Sequence, residues 1–304
     1  MSKIQEALQL IQAKSKRQPT EPETNLPDRA PPEKKPAVRE KRLATIVPRE
    51  HGYGGHHIVV DRSQLRANGL LAPGADERRL AEQYRAIKRP LLGNADPSLQ
   101  SVLPLGNLVM VASALSGEGK TFTSVNLCLS IARERDWSVV LVDADSSKPH
   151  LTRLFSAEHE PGLIDLLRDP KMSFEDLVMP TDIPGFSLLP AGVHDADTSE
   201  LLASRRMKDI CQEISAADPG RMIVMDSSPL LLTTEAIALA SQVGQVLMIV
   251  RANSTEQQSV LAALDRLDPD QAINCVLNQT LGSDLSESYG YYGNYGEDPE
   301  STES

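Results

Sequence analysis

LVMVASALSGEGKTF, residues 108–122, decides the fold. Its first five residues, Leu108 to Ala112, form a short apolar run, and a Gly-rich turn follows directly. From Thr121 to Arg133 the pattern reads as a helix. Gly117 and Gly119 permit backbone torsions that turn successive N–H groups inward, and the positive end of the helix dipole points at the same spot. Ser116, Gly117, Glu118, Gly119, Lys120, Thr121 and Phe122 are therefore expected to cradle a nucleotide phosphate. In such a loop the lysine reaches the β- and γ-phosphates and the hydroxyl next to it ligates Mg²⁺. The strict pattern asks for glycine five residues before Gly119, and Ala114 stands there.

The rhythm continues on both sides of this element. Val139 to Val142, Phe186 to Leu189, Met222 to Met225, Val246 to Val250 and Ile273 to Leu277 are continuous apolar runs, with helical patterns between most of them. Continuous β-branched runs mark strands buried on both faces. The expected fold is thus an α/β, P-loop NTPase-like architecture, a mostly parallel sheet with helices on both faces. Ligands of such sheets sit beyond the carboxyl ends of the strands.

Two further strand ends carry acids. VVLVDADSSKP ends with Asp143 and Asp145, read as two carboxylates on one side of an extended segment. Crowded carboxylates there need a cation, and one of them can take a proton from an incoming hydroxyl, for which Asp143 is the candidate. An Asp pair can also cap the next helix. MIVMDSSPLL places Asp226 at another strand end, where it reads as a Walker B acid. Thr121, Asp143 and Asp226 are the expected Mg²⁺ ligands; Lys120, Asp143 and Asp145 are the expected catalytic groups.

Composition sets the surroundings. The chain has 304 residues, 40% hydrophobic and 24% charged, with net charge −11. No apolar stretch approaches the ~20 residues that span a bilayer, and the start lacks a signal-peptide run, so a cytoplasmic location is expected. The acidic balance argues against nucleic acid as a partner. Cys128, Cys211 and Cys275 are far apart, in segments read as helix, helix and strand, and are expected to be reduced core thiols.

Ile4, Leu8 and Ile11 form a helical stripe within residues 1–18, too short to be stable alone. Residues 19–57 read as a disordered linker with seven prolines between Pro19 and Pro48. EHGYGGHH, residues 50–57, reads as a Gly-rich loop rather than a metal site. The body spans 58–282. Within it a helix over about 76–92 carries Glu82, Arg85 and Lys88 at three-residue steps, roughly on one face. The tail, residues 283–304, holds six acids, no Lys or Arg, and four of the chain's six tyrosines: Tyr289, Tyr291, Tyr292 and Tyr295. It is expected to be flexible, because its charges keep it wet and its glycines weaken any strand. Beside an ATP site these phenols read as phosphoacceptors. Tyr289 lies eleven residues past Asn278, a reach of about 35 Å at ~3.3 Å per residue, so it can meet its own site or a neighbour's.

These residues together resemble the bacterial tyrosine kinase family. GEGKT matches its Walker A element, VVLVDAD its A′ element, MIVMDSSP its Walker B element, and the tyrosine cluster its tail. EQYRAIK resembles the family's Glu-x-x-Arg-x-x-Arg oligomer motif, with Lys88 in the last basic position. IVVDRSQLRANGLL followed by RLAEQYRAIKRPLL looks closest to the stand-alone kinases encoded with exosortase-type exopolysaccharide systems. The resemblance implies an ATP- and Mg²⁺-dependent autokinase that labels its own tail, typically between subunits of a ring. It further implies activation by the cytoplasmic end of a membrane polysaccharide co-polymerase, reversal by a cognate tyrosine phosphatase, and a position peripheral to the inner membrane through that partner. Arg251 and Asn278 resemble base or ribose contacts. The A′ motif departs from the family pattern, since Ser147 fills its basic position and Lys148 follows. A septum-site or partition-type ATPase is the rival on the same fold; its signature lysine would occupy position 115, which is Leu115. A nucleotide-binding scaffold with an adhesive tail is the second rival.

Overall fold

The computed structural model describes residues 52–71, 76–99 and 102–280. The expected N-terminal helix, most of the linker and the tyrosine tail lie outside the described residues.

A seven-stranded sheet forms the centre. Its strands are β1 (Leu108–Ser113), β2 (Ser138–Asp143), β3 (Met179–Pro180), β4 (Phe186–Leu189), β5 (Arg221–Asp226), β6 (Gln245–Arg251) and β7 (Ala272–Asn278), in the order β3-β4-β2-β5-β1-β6-β7. All neighbouring pairs are parallel except β3 with β4. The two-residue edge strand β3 has no signal in the sequence, since Pro180 breaks the run; proline is tolerated there because an edge strand leaves N–H positions unpaired.

Both faces are covered, as continuous apolar strands require. Met110 and Ala112 of β1 point into one core layer and Val109 and Val111 into the other. The alternation of β1 thus feeds two cores, each sealed by helices. α1 (Arg62–Ala67), capped by Asp61 through Ser63 N at 2.8 Å, and α2 (Glu77–Ala95) flank α3 (Lys120–Ile131) on one side. Against the opposite face pack α5 (Leu163–Arg168), α6 (Phe174–Leu177), α7 (Thr198–Leu202), α8 (Arg205–Ala217) and α9 (Thr234–Ala240). Among the described residues no helix is long and apolar enough to cross a membrane.

Three expectations are corrected. Composition extends the linker to residue 57, yet its last residues belong to the body. Gly54 N donates to Glu175 O at 3.0 Å, Gly55 N to Val178 O at 3.2 Å, and Tyr53 packs against the core. A polar, glycine-rich composition does not reveal such backbone pairing. Cys128 and Cys211 are buried but Cys275 is exposed, because β7 is an edge strand. Lys88 does not join Glu82 and Arg85 on the exposed face of α2. Its side chain is buried and donates to Ser130 O at 2.5 Å while pairing with Glu134 at 2.7 Å. Three-residue steps on a 3.6-residue helix drift round the axis, so by the second step the side chain faces α3.

Candidate functional site

The β1–α3 turn is built around two left-handed glycines, Gly117 (φ 79°) and Gly119 (φ 96°). A Cβ at Gly119 would also lie 2.1 Å from Asn278 Nδ2 and would have to displace that side chain. Asn278, the last residue of β7, donates from Nδ2 to Glu118 O at 2.9 Å. Glu118 is itself buried: its carboxylate accepts from Leu115 N at 2.7 Å and from Thr255 Oγ1. The loop is therefore shaped by groups from β7 and the segment after β6 as well as by its own glycines. Ser113 and Ala114 carbonyls accept from Leu230 and Leu231, which tie the loop to the segment after β5.

Lys120 opens α3, buried, with Nζ donating to Ser113 Oγ at 2.8 Å. Burial pulls its ammonium below the usual lysine value; Asp226, Asp145 and Glu118 oppose that shift. Thr121 Oγ1 donates to Asp226 Oδ2 at 2.7 Å and Ser124 Oγ to Asp226 Oδ1 at 2.9 Å. Asp226 and Asp143 are register partners at the ends of β5 and β2. Burial pushes Asp143 up to about 7, offset by two Thr152 hydrogen bonds and raised further by the Asp226 and Asp145 charges. Burial likewise lifts Asp226 to about 6, against hydrogen bonds from Thr121 and Ser124 and the charge of Lys120.

Asp143 and Asp145 do not stand side by side on a strand. β2 stops at Asp143, and Asp145 lies in the turn beyond it, half-buried and held by Ser228 Oγ at 2.7 Å and Ser147 Oγ at 3.1 Å. Asp143 is 1% exposed. Its Oδ2 accepts from both Thr152 N and Thr152 Oγ1 at 2.8 Å, and its Oδ1 is buried without a hydrogen-bond partner. Thr152 in α4 (His150–Leu154) is fixed in turn by Ala191 N at 2.9 Å.

An orphaned, desolvated carboxylate oxygen beside a second buried carboxylate fits a hard divalent cation. Among the described residues no three His, Cys, Asp or Glu side chains form a ready-made cage.

The phosphate-loop residues, Asp143, Asp145 and Asp226 meet at the carboxyl edge of the sheet. Arg251 is exposed and in register with Asn278 on the next strand. Asn278 and Phe122 instead line a cavity of about 510 Å³ with Leu80 and Gln83 of α2, beside the loop. Sequence reasoning missed Ser124, Thr152, Ser228 and Thr255. Ser124 sits one helical turn beyond Lys120 and Ser228 two residues after Asp226, so both were within reach of spacing arguments. Thr152 and Thr255 arrive through separate elements and leave no local signal.

This site defines a nucleotide-binding domain of the P-loop class, and residues 109–277 match the CobQ/CobB/MinD/ParA nucleotide-binding domain family. The chain is 30% identical over 216 residues to the tyrosine-protein kinase YwqD of Bacillus subtilis (strain 168), covering 70% of this chain and 86% of that one. It is 30% identical over 162 residues to the tyrosine-protein kinase ptk of Acinetobacter johnsonii, covering 53% of this chain but 22% of that relative's length. The crystal structure of the VpsO kinase domain superimposes with a TM-score of 0.56 at 26% identity, over 69% of this chain and all of that one. The chain belongs to the bacterial tyrosine kinase family.

Proposed function

We propose that the chain is an ATP- and Mg²⁺-dependent protein-tyrosine autokinase that phosphorylates Tyr289, Tyr291, Tyr292 and Tyr295 of its own tail and so regulates exopolysaccharide export. The observation that carries this reading is the join between β7 and the phosphate loop. The strand that precedes the tyrosine tail in the sequence is hydrogen-bonded to the loop through Asn278 and Glu118, which supports the tail as the acceptor because its eleven-residue lead from Asn278 to Tyr289 starts beside the phosphate loop.

The transfer forms a bond from the phenol oxygen to the γ-phosphorus and breaks the bond to the ADP oxygen; the phenol proton must go to a base. A phenol titrates near ~10 and attacks poorly without such help. Asp143 is too buried to meet an incoming phenol, so its role shifts to the cation, together with Asp226 and Thr121. Asp145, half-buried and facing hydroxyl partners, is the carboxylate that takes the proton. Lys120 balances charge on the transferring phosphoryl group. Mg²⁺, when bound, neutralises the phosphates and the buried carboxylates.

Glu82 and Arg85 form the self-association face of α2, with Arg89 as the exposed basic group in place of Lys88; Arg89 lies about two turns from Glu82 and so returns to its side of the helix. Family membership supports the remaining partners: the cytoplasmic end of a membrane polysaccharide co-polymerase, which would hold the protein at the inner membrane, and a tyrosine phosphatase.

The test is mass spectrometry after incubation with Mg-ATP. Phosphotyrosine at 289–295 that is absent in Lys120→Met supports the kinase. ATP hydrolysis without protein label would mean an ATPase switch, and nucleotide binding without either would mean a scaffold.

A further inference from the structure

α1, α2 and α3 enclose a groove of about 680 Å³ on the flank of the domain, apart from the phosphate loop. Its walls include Leu65, Leu71, Leu80 and Leu129, and its rim carries Arg62, Arg66, Arg78, Arg85 and Arg133, all exposed, against only Glu77 and Glu82. Among the described residues Arg66 alone of the five has a carboxylate partner, Glu77 at 2.7 Å. An apolar trough whose rim carries four guanidinium groups without a carboxylate partner among the described residues, on an acidic protein, has the chemistry for aromatic rings that carry phosphate.

The described chain ends beside it. Gln279 and Thr280 line the cavity shared with Leu80 and Gln83 of α2, and Leu80 also lines the groove. Residues 283–304 follow shortly after in the sequence, with four tyrosines, six acids and no Lys or Arg. From Thr280 to Tyr289 the reach is about 30 Å at ~3.3 Å per residue, and α2 itself is about 28 Å long, so the cluster can lie anywhere along the groove.

We propose that this groove is a docking site for the chain's own phosphorylated tail, with phosphotyrosine phosphates on Arg78, Arg85 and Arg133 and the rings against the leucine walls. The proposal rests on the autokinase reading for its ligand. Each phosphate adds ~1.5 to 2 negative charges and three acceptor oxygens, so phosphorylation switches the tail from weak to firm docking. A docked tail lies away from the three aspartates, which repel it, and covers the face that carries Glu82 and Arg85. Product docking and self-association therefore compete for one surface.

The test uses the full chain carrying Lys120→Met and a synthetic peptide of residues 283–304, unmodified or phosphorylated at Tyr289, Tyr291 and Tyr292, followed by fluorescence anisotropy. The phosphopeptide is expected to bind at least about tenfold tighter than the unmodified one, since each phosphate adds charge-assisted hydrogen bonds to the guanidinium groups. Arg78→Glu with Arg133→Glu is expected to erase that preference without moving the melting temperature, while Arg205→Glu on α8 leaves it intact. Equal affinity for the two peptides, or a preference that survives the double reversal, would overturn the proposal. Binding of anionic phospholipid vesicles through the same arginines, with no phosphopeptide preference, would overturn it in favour of a membrane surface. Because the peptide is made synthetically, these outcomes are independent of whether the protein labels its own tail, which the Mg-ATP experiment decides.

Discussion

Replacing Asp143 by asparagine should stabilise the protein in the absence of cation and nucleotide, and the effect should depend on pH. In the fold the Asp143 carboxyl is raised from 3.8 to about 7, first by burial. A raised folded-state value means that protonation favours the folded state: stability is greatest below the unfolded value and falls as pH rises through about 7. The displacement corresponds to about 4 kcal/mol at alkaline pH. Between pH 8 and pH 6 the parent should gain about 2 kcal/mol, chiefly from Asp143 with a smaller share from Asp226. The asparagine of the Asp143→Asn variant offers Thr152 an acceptor of the same shape and carries no charge. At pH 8 without Mg²⁺ this variant should therefore exceed the parent by about 2 to 4 kcal/mol, with a Tm higher by roughly 5 to 10 °C for a domain of this size. Its stability should change little between pH 8 and 6. Saturating Mg-ADP should raise the parent at pH 8 more than the variant, since the cation meets the charge that the variant lacks. Urea melts at pH 6, 7 and 8, with and without Mg-ADP, measure all of this. An Asp143→Asn protein no more stable than the parent at pH 8, or one with the parent's pH slope, would refute the placing of an uncompensated carboxylate at the end of β2.

Gly119→Ala should abolish nucleotide binding and destabilise by about 1 to 3 kcal/mol, because φ of 96° is strained for alanine and its Cβ meets Asn278; calorimetric titration of ATP and thermal melts check both effects. Lys88→Met should cost about 1 to 3 kcal/mol through the lost bonds to Ser130 and Glu134, whereas exposed Arg89→Ala should stay within about 0.5 kcal/mol. Sedimentation should show the reverse order, with self-association weakened by the Arg89 change and preserved in Lys88→Met.

The phosphate loop, six of the seven strands, the two-sided core and the convergence of Lys120, Asp143 and Asp226 on one sheet edge were legible in the sequence. All of these follow from contiguous residues: a strand's burial is written in an unbroken apolar run, a left-handed turn in glycine, and a strand end in the acid that follows the run. In a parallel sheet such ends meet without further instruction. Which carboxylate does what was a matter of tertiary structure. The sequence already read Asp143 as a cation ligand, but it also offered Asp143 as the base, and only the packing of α4, which lays Thr152 over one of its oxygens, buries it from an incoming hydroxyl. Asp145 is half-buried because the strand ends before it. Lys88 was spent inside because α2 lies on α3. The contact of Asn278 with Glu118, 160 positions apart, and the arginine-rimmed groove between three helices exist only after packing, which joins residues whose sequence neighbours say nothing of one another.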